Sequence, residues 1–250
     1  MTSFSVLLKK ELRDHLRTYK LLIIVAVFVL LGLGTPLLFN YLPSLLESAG
    51  DIAIPIPDFT AADVVSEYFG TITQIGILVV ILVSMGAVAR ERDRGTAVMT
   101  LSKPVGRGTF ITSKLAALSV SFGLGLAGGA GACYLYTAIL FTGLNTSSFI
   151  AANLLAGLFL LVCLSLTLLC STLFKSQLAA GGLALVMIVV LWALTLIPQL
   201  EPYAPMGVIN WGQRIIAGSG PSAWWTVGTS VGLIALCTVL AWQTLLRKEL

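Results

Sequence analysis

Few residues in this chain have the types that chemistry needs, and their densest cluster lies in one short stretch. Between Ala89 and Lys114 fall Arg90, Glu91, Arg92, Asp93, Arg94, Lys103, Arg107 and Lys114, which include six of the chain's 15 Lys and Arg. Long apolar runs without a single charge flank the stretch on both sides. Charges punctuated by glycines and a proline suit gripping a soluble partner rather than breaking bonds. The constellations that break bonds are missing. His15 is the one histidine, so no Ser–His–Asp relay can form, and neither zinc nor haem has a ligand set. No G-x-x-x-x-G-K-[ST] phosphate loop occurs. Gly123, Gly125 and Gly128 do spell G-x-G-x-x-G. That motif works after a strand and at an aqueous helix N-terminus, and here it sits inside an apolar run. Cys133, Cys163, Cys170 and Cys237 also fall in apolar runs, where they read as small packing residues rather than disulfides or metal ligands.

The elements that must position the charged stretch are membrane helices. Of 250 residues, 57% are hydrophobic and only 10% charged, against about 25% charged in an average soluble domain. Six runs reach the roughly 20 residues that cross a bilayer: 21–39, 71–89, 115–141, 149–174, 178–198 and 227–246. They are continuous and rich in Leu, Val and Ala, which excludes the alternation of a β-barrel. A soluble fold would need six helices without a polar face. The expected fold is therefore an all-α membrane protein of six spans in one domain, residues 1–250. Lys and Arg concentrate on the cytoplasmic side of membranes. Fourteen of them lie before the first span, in the 90–114 loop, at Lys175 and after the last span, and only Arg214 lies opposite. This places both termini in the cytoplasm. The net charge of +4 is then a topology signal and calls for no nucleic-acid partner.

Residues 4–20 precede the first span as an amphipathic segment rather than a cleavable signal. Phe4, Leu8, Leu12, Leu16 and Tyr19 recur at helical spacing, and Lys9, Lys10, Arg13, Arg17 and Lys20 fill much of the remaining surface. Such a helix lies in the headgroup plane of the lipid bilayer. It serves either as a topology anchor or as an interface helix that passes a cytoplasmic partner's movement to the first span. Gly32, Gly34 and Pro36 predict a kink or end of that span. Thr60 with Asp63 has the form of a capping box, which predicts a short helix leading into the second span. The outer loop around it is acidic, without metal-ligand spacing. In the third span Gly125 and Gly129 make a G-x-x-x-G pair, and Gly123, Ala127 and Gly131 a second small-residue row. The sequence leaves open whether these rows face another span, a second chain or a transport path. Asn145-Thr-Ser matches a glycosylation sequon, but so close to the membrane it reads as chance. Tryptophans in 199–226 predict one or two short helices dipping into the outer headgroup region.

No charged residue falls in the centre of any span, where ion-coupled transporters usually bind their ion. The residues alone leave three classes: a permease subunit energised by another chain, an ATPase-independent secondary transporter or membrane scaffold, and, last, an intramembrane enzyme without visible catalytic groups.

The chain resembles the type-two ATP-binding-cassette (ABC) permeases. Three places carry the resemblance. Leu8-Lys-Lys-Glu-Leu-Arg-Asp-His-Leu-Arg-Thr-Tyr-Lys20 resembles the family's basic amphipathic helix, and Leu246-Arg-Lys-Glu-Leu250 its short basic tail. The loop follows E-R-x-x-G-T, then S-x-P-V-x-R and a Lys, through Glu91, Arg92, Gly95, Thr96, Leu101, Ser102, Pro104, Val105, Arg107 and Lys114. Within the family it looks most like the subgroup that includes the permease for nitrous-oxide reductase maturation. Gly106 and Gly108 depart from the usual pattern and predict a looser chain after Pro104. The resemblance implies a multi-pass protein of a bacterial or archaeal plasma (inner) membrane, without a catalytic site of its own. It implies an ABC ATPase subunit holding ATP and Mg, a second permease chain, identical or different, and export. It also implies a coupling helix seated on the ATPase. Glu91, Arg92, Arg94, Gly95, Thr96, Met99, Leu101, Ser102, Pro104 and Arg107 would carry that contact, with Gly95 and Pro104 breaking the helix that continues from the second span.

Overall fold

A computed structural model describes residues 3–48, 59–93, 95, 106–218 and 222–247. Among these residues there are helices and turns and no strand. An amphipathic helix α1 (Ser3–Arg17) precedes α2 (Lys20–Ser48), α3 (Ala61–Ser84) and a short α4 (Ala89–Asp93). Then follow α5 (Arg107–Leu140), α6 (Thr146–Leu173) and α7 (Gln177–Ala193). Two 3-10 turns (Leu194–Leu196 and Glu201–Tyr203) lead to α8 (Gly207–Ile216) and α9 (Trp224–Arg247). Six of the helices are long and apolar enough to cross a membrane, one for each run read from the sequence. The axis of the bundle is α6: 78% of its span is buried, against 22% to 44% for the other five. Helices that are apolar all round pack this way when neighbours cover every face.

Several boundaries differ from the sequence reading. Pro36 does not end the first span; α2 runs through Pro36 and Pro43 to Ser48. A proline inside a helix forfeits one ladder bond, here the one to the Gly32 carbonyl. The residues around it are held by packing, because Gly32 lies against the backbone of Gly129 on α5. Thr60 does form the capping box with Asp63, but the helix it starts is the span itself, continuous from Ala61 to Ser84. The helix of the third span, α5, begins eight residues before the apolar run, at Arg107. Gly106 is its N-cap, and Gly108 faces the Trp242 ring, so the chain there is a helical turn rather than a loose loop.

The glycine rows separate cleanly. A Cβ on Gly129 would stand 2.5 Å from the Phe28 carbonyl oxygen, and one on Gly125 2.7 Å from Ile24 Cγ2. The Gly125/Gly129 row therefore seats α5 on α2 within the chain. Around Gly123 and Gly131 no described atom would come within 4 Å of a Cβ. Gly123 and Ala127 instead line an apolar groove of about 560 Å3 between α5 and α6. The sequon asparagine has a structural use: Asn145 Oδ1 accepts the Ser147 and Ser148 amides and caps α6. Of the tryptophans in 199–226, Trp224 and Trp225 are exposed, while Trp211 is buried with its ring edge-on to Trp224.

Candidate functional site

Helix α1 has three faces. The stripe of Phe4, Leu8, Leu12, Leu16 and Tyr19 is exposed or half-exposed, and Lys9, Lys10, Arg13 and Arg17 point outward. The third face, Leu7, Glu11 and His15, repeats every four residues and is buried against the bundle. Tyr19, with φ 57°, turns the chain from α1 into α2. That backbone region is rare for a residue with a side chain.

Two buried polar groups on α1 meet α5. Lys114 Nζ, only 3% exposed, donates to both Glu11 carboxylate oxygens at 3.1 Å and to Glu91 Oε1 at 2.8 Å. It also stands 5.0 Å from the centre of the Phe110 ring. One ammonium thus ties together the interfacial helix, the start of the charged loop and the third span. Such a group is tolerable in a nearly dry setting because both opposite charges are within hydrogen-bonding distance. One turn further along, His15 Nδ1 lies 2.9 Å from Ser121 Oγ. Burial and the nearby Lys20 ammonium hold the imidazole below its ordinary 6.5, and the Lys114 charge adds to this, while Glu11 and Asp14 oppose it. A cleft of about 240 Å3 opens beside these groups, rimmed by Lys10, Asp14, Thr18, Lys20 and Arg90.

The loop is anchored at its entrance and its exit. At the entrance, Arg92 Nη1 donates to the Thr172 carbonyl at 2.8 Å, and Arg90 Nη2 donates to Gln177 Oε1 at 3.3 Å. Thr172 is in the last turn of α6, where carbonyls have no partner within the helix. At the exit, Arg107 Nη1 donates to the carbonyls of Leu245 (2.5 Å) and Leu246 (3.0 Å), in the last turn of α9. Cations suit helix C-termini for the same reason. Two arginines expected to offer charge to a partner are therefore clamps on the ends of this chain's own helices. Gly95 follows α4 with φ +70°, the left-handed region that glycine enters freely. The helix leaving the second span breaks twice, in the turn 85–88 and again after Asp93, so the break at Gly95 is preceded by one the sequence did not predict. Arg94, Thr96, Met99, Leu101, Ser102 and Pro104 lie outside the described residues, as do Val98, Lys103, Val105 and the tail from Lys248.

The sequence reading missed Glu11, His15 and Lys114 as a unit. Lys114 was counted as a loop charge, and the apolar stripe of α1 hid the neighbouring row. The signal was present in the four-residue spacing of Leu7, Glu11 and His15. The arrangement can transmit force, because α1, α5, α6, α7 and α9 are all bonded to described residues of the 90–114 segment.

A bundle of six membrane-length helices whose charged end gathers on one loop is the build of a multi-pass transporter component. Residues 5–250 match the model of a family described as ABC-2 family transporter protein, and the chain belongs to that family. It is a membrane component of the ABC-2 transporter type. It is also similar to the "Uncharacterized transmembrane protein YxlG" of Bacillus subtilis (strain 168), with 27% identity over 259 residues covering 100% of this chain and 99% of the relative. Neither comparison favours the nitrous-oxide reductase maturation subgroup over the rest of the family.

Proposed function

We propose that this chain is the permease subunit of an ABC exporter and takes its energy from a separate ATPase subunit seated on the 90–114 loop. Membrane proteins of this family generally work with such a subunit. The observation that carries the reading is the anchoring of the loop. Its first and last turns are bonded to α1, α5, α6, α7 and α9 through Glu91, Arg92, Arg90, Lys114 and Arg107. A push on either end of the loop reaches these helices through those bonds. The excess of Lys and Arg at this end favours the cytoplasmic side of the membrane, and in a bacterium or archaeon that is the side on which an ATPase would hold its ATP and Mg. ATP-driven closure of two ATPase subunits would bring two permease chains together at these loops and rock the spans between inward- and outward-open states. The chain itself would supply the path and no catalytic group.

The test is gentle purification of the tagged chain from its native membrane. Recovery of a stoichiometric phosphate-loop ATPase, lost when residues 91–107 are replaced, is the expected result. A solitary chain that transports in vesicles without nucleotide would establish an ATPase-independent transporter instead.

A further inference from the structure

We propose that Ser171 is the positioning residue of the coupling segment: its hydroxyl, inserted into the backbone ladder at Met85–Ala89, sets the direction in which Ala89–Asp93 leaves the second span. The inference deepens the function proposed above and rests on it only where transport is concerned.

In an unbroken helix the Ala89 amide would donate to the Met85 carbonyl, and the Val88 amide to Ser84. Neither bond exists. Ala87 takes the Ser84 carbonyl at 2.9 Å. The Ser171 hydroxyl, fully buried on α6, donates to the Met85 carbonyl at 2.8 Å. It accepts from the Val88 amide and the Ala89 amide, each at 3.0 Å. A hydroxyl has one proton and two lone pairs, and all three are used. The 89-to-85 bond has been opened and a side chain of another helix placed inside it, which is a recognised cause of sharp helix bends. Regular ladder bonding resumes below the insertion, with the Arg90 amide on Gly86 and the Arg92 amide on Val88.

The opened turn is seated from a second side. A Cβ on Gly86 would stand 2.8 Å from Gln177 Oε1, and one on Gly181 3.0 Å from Met85 Sδ, so the start of α7 lies against the break. Helices α6 and α7 are joined by a short turn and grip it as a pair. Two arrangements of the same backbone are then available. With Ser171 in place, the helix is broken and α4 is aimed by α6. With Ser171 withdrawn, the Ala89 amide can close on Met85 and α4 continues the line of α3. Movement of the α6–α7 pair relative to α3 selects between them. This makes the turn a two-state element through which the coupling segment and the central helix read one another.

The test uses the full chain in nanodiscs, with spin labels on cysteines at the exposed positions Leu78 and Asp93. Fifteen residues of unbroken helix would separate the two backbones by about 22 Å. The native distribution departs from that value, S171A moves onto it, and S171T, which keeps the hydroxyl, stays native. A native distribution already at that value, or an S171A distribution that superimposes on the native one, overturns the proposal. Ala89→Pro combined with S171A is the independent variant: with the hydroxyl gone the proline ring has room, and without the amide the 89-to-85 bond cannot close. The double variant therefore moves off the value of about 22 Å that S171A alone adopts. A double variant that stays at that value overturns the proposal. If S171A straightens the helix while transport is unaffected, the positioning role stands and the coupling function of the loop falls.

Discussion

Replacing Lys114 with methionine tests the buried joint most sharply. The ammonium is 3% exposed and serves the Glu11 carboxylate at 3.1 Å and Glu91 at 2.8 Å. Removing one member of a buried ion pair typically costs about 3–5 kcal/mol, because the remaining charge is left without compensation. A carboxylate that has lost the buried ammonium can take a proton, since the Lys10 ammonium 3.6 Å from Glu11 Oε1 is half-exposed and offsets little. An ordinary glutamate side chain ionises near 4.3, so protonating it at pH 7 costs about 3.7 kcal/mol, and at pH 5 about 1 kcal/mol. This protonation caps the penalty. K114M is therefore expected to lose about 3–4 kcal/mol at pH 7 and much less at pH 5. The double variant E11Q/K114M, with one carboxylate neutralised, recovers a large part of the loss. Equilibrium unfolding of the purified chain in mixed micelles reads these values from the midpoint at constant slope. A K114M cost below about 1 kcal/mol at pH 7, or the same cost at both pH values, would refute the reasoning.

The glycine rows give a paired expectation. Gly129→Ala drives a methyl into the Phe28 carbonyl, where only backbone can yield, and should lower stability by about 1–3 kcal/mol, while Gly123→Ala is silent in the same unfolding assay. His15 gives a pH dependence. Its folded proton affinity is depressed, so unfolded histidine binds a proton as the pH falls through about 6.5 while the folded state does not. Its contribution is full above that value and is lost as the pH falls toward the lower folded value. His15→Gln should flatten the melting temperature between pH 7 and pH 5.5, and an unchanged slope would remove His15 as the cause. Gly95→Val strains a backbone at φ +70° by about 1–2 kcal/mol. It should leave insertion intact and uncouple transport from ATP hydrolysis in vesicles, so full transport would count against the loop.

The spans were legible because each is a continuous apolar run, and the Thr60–Asp63 cap because its spacing is fixed by helix geometry. What escaped the sequence depends on partners distant along the chain. Pro36 reads locally as a kink or an end of the helix, and the choice is made by Gly32 packing on Gly129, almost a hundred residues later, where the helix continues. Arg92 and Arg107 read as charges offered outward because the carbonyls they hold, on Thr172, Leu245 and Leu246, are invisible in a residue's type. Ser171 lies in an apolar run where any serine reads as a small packing residue. Its role appears only when α6 and the broken turn at 85–88 are side by side. The pattern of 91–107 pointed to the family without its packing, since a motif needs only spacing.

The central claim is that the 90–114 loop is where an ATPase takes hold. A photo-crosslinking residue at Met99, with a control at the exposed Tyr203 on the opposite end, tests it in the native membrane. Capture of a phosphate-loop ATPase from position 99 and none from position 203 is the predicted result. Capture of lipid or of this chain alone from position 99, in membranes that still support transport, would contradict it.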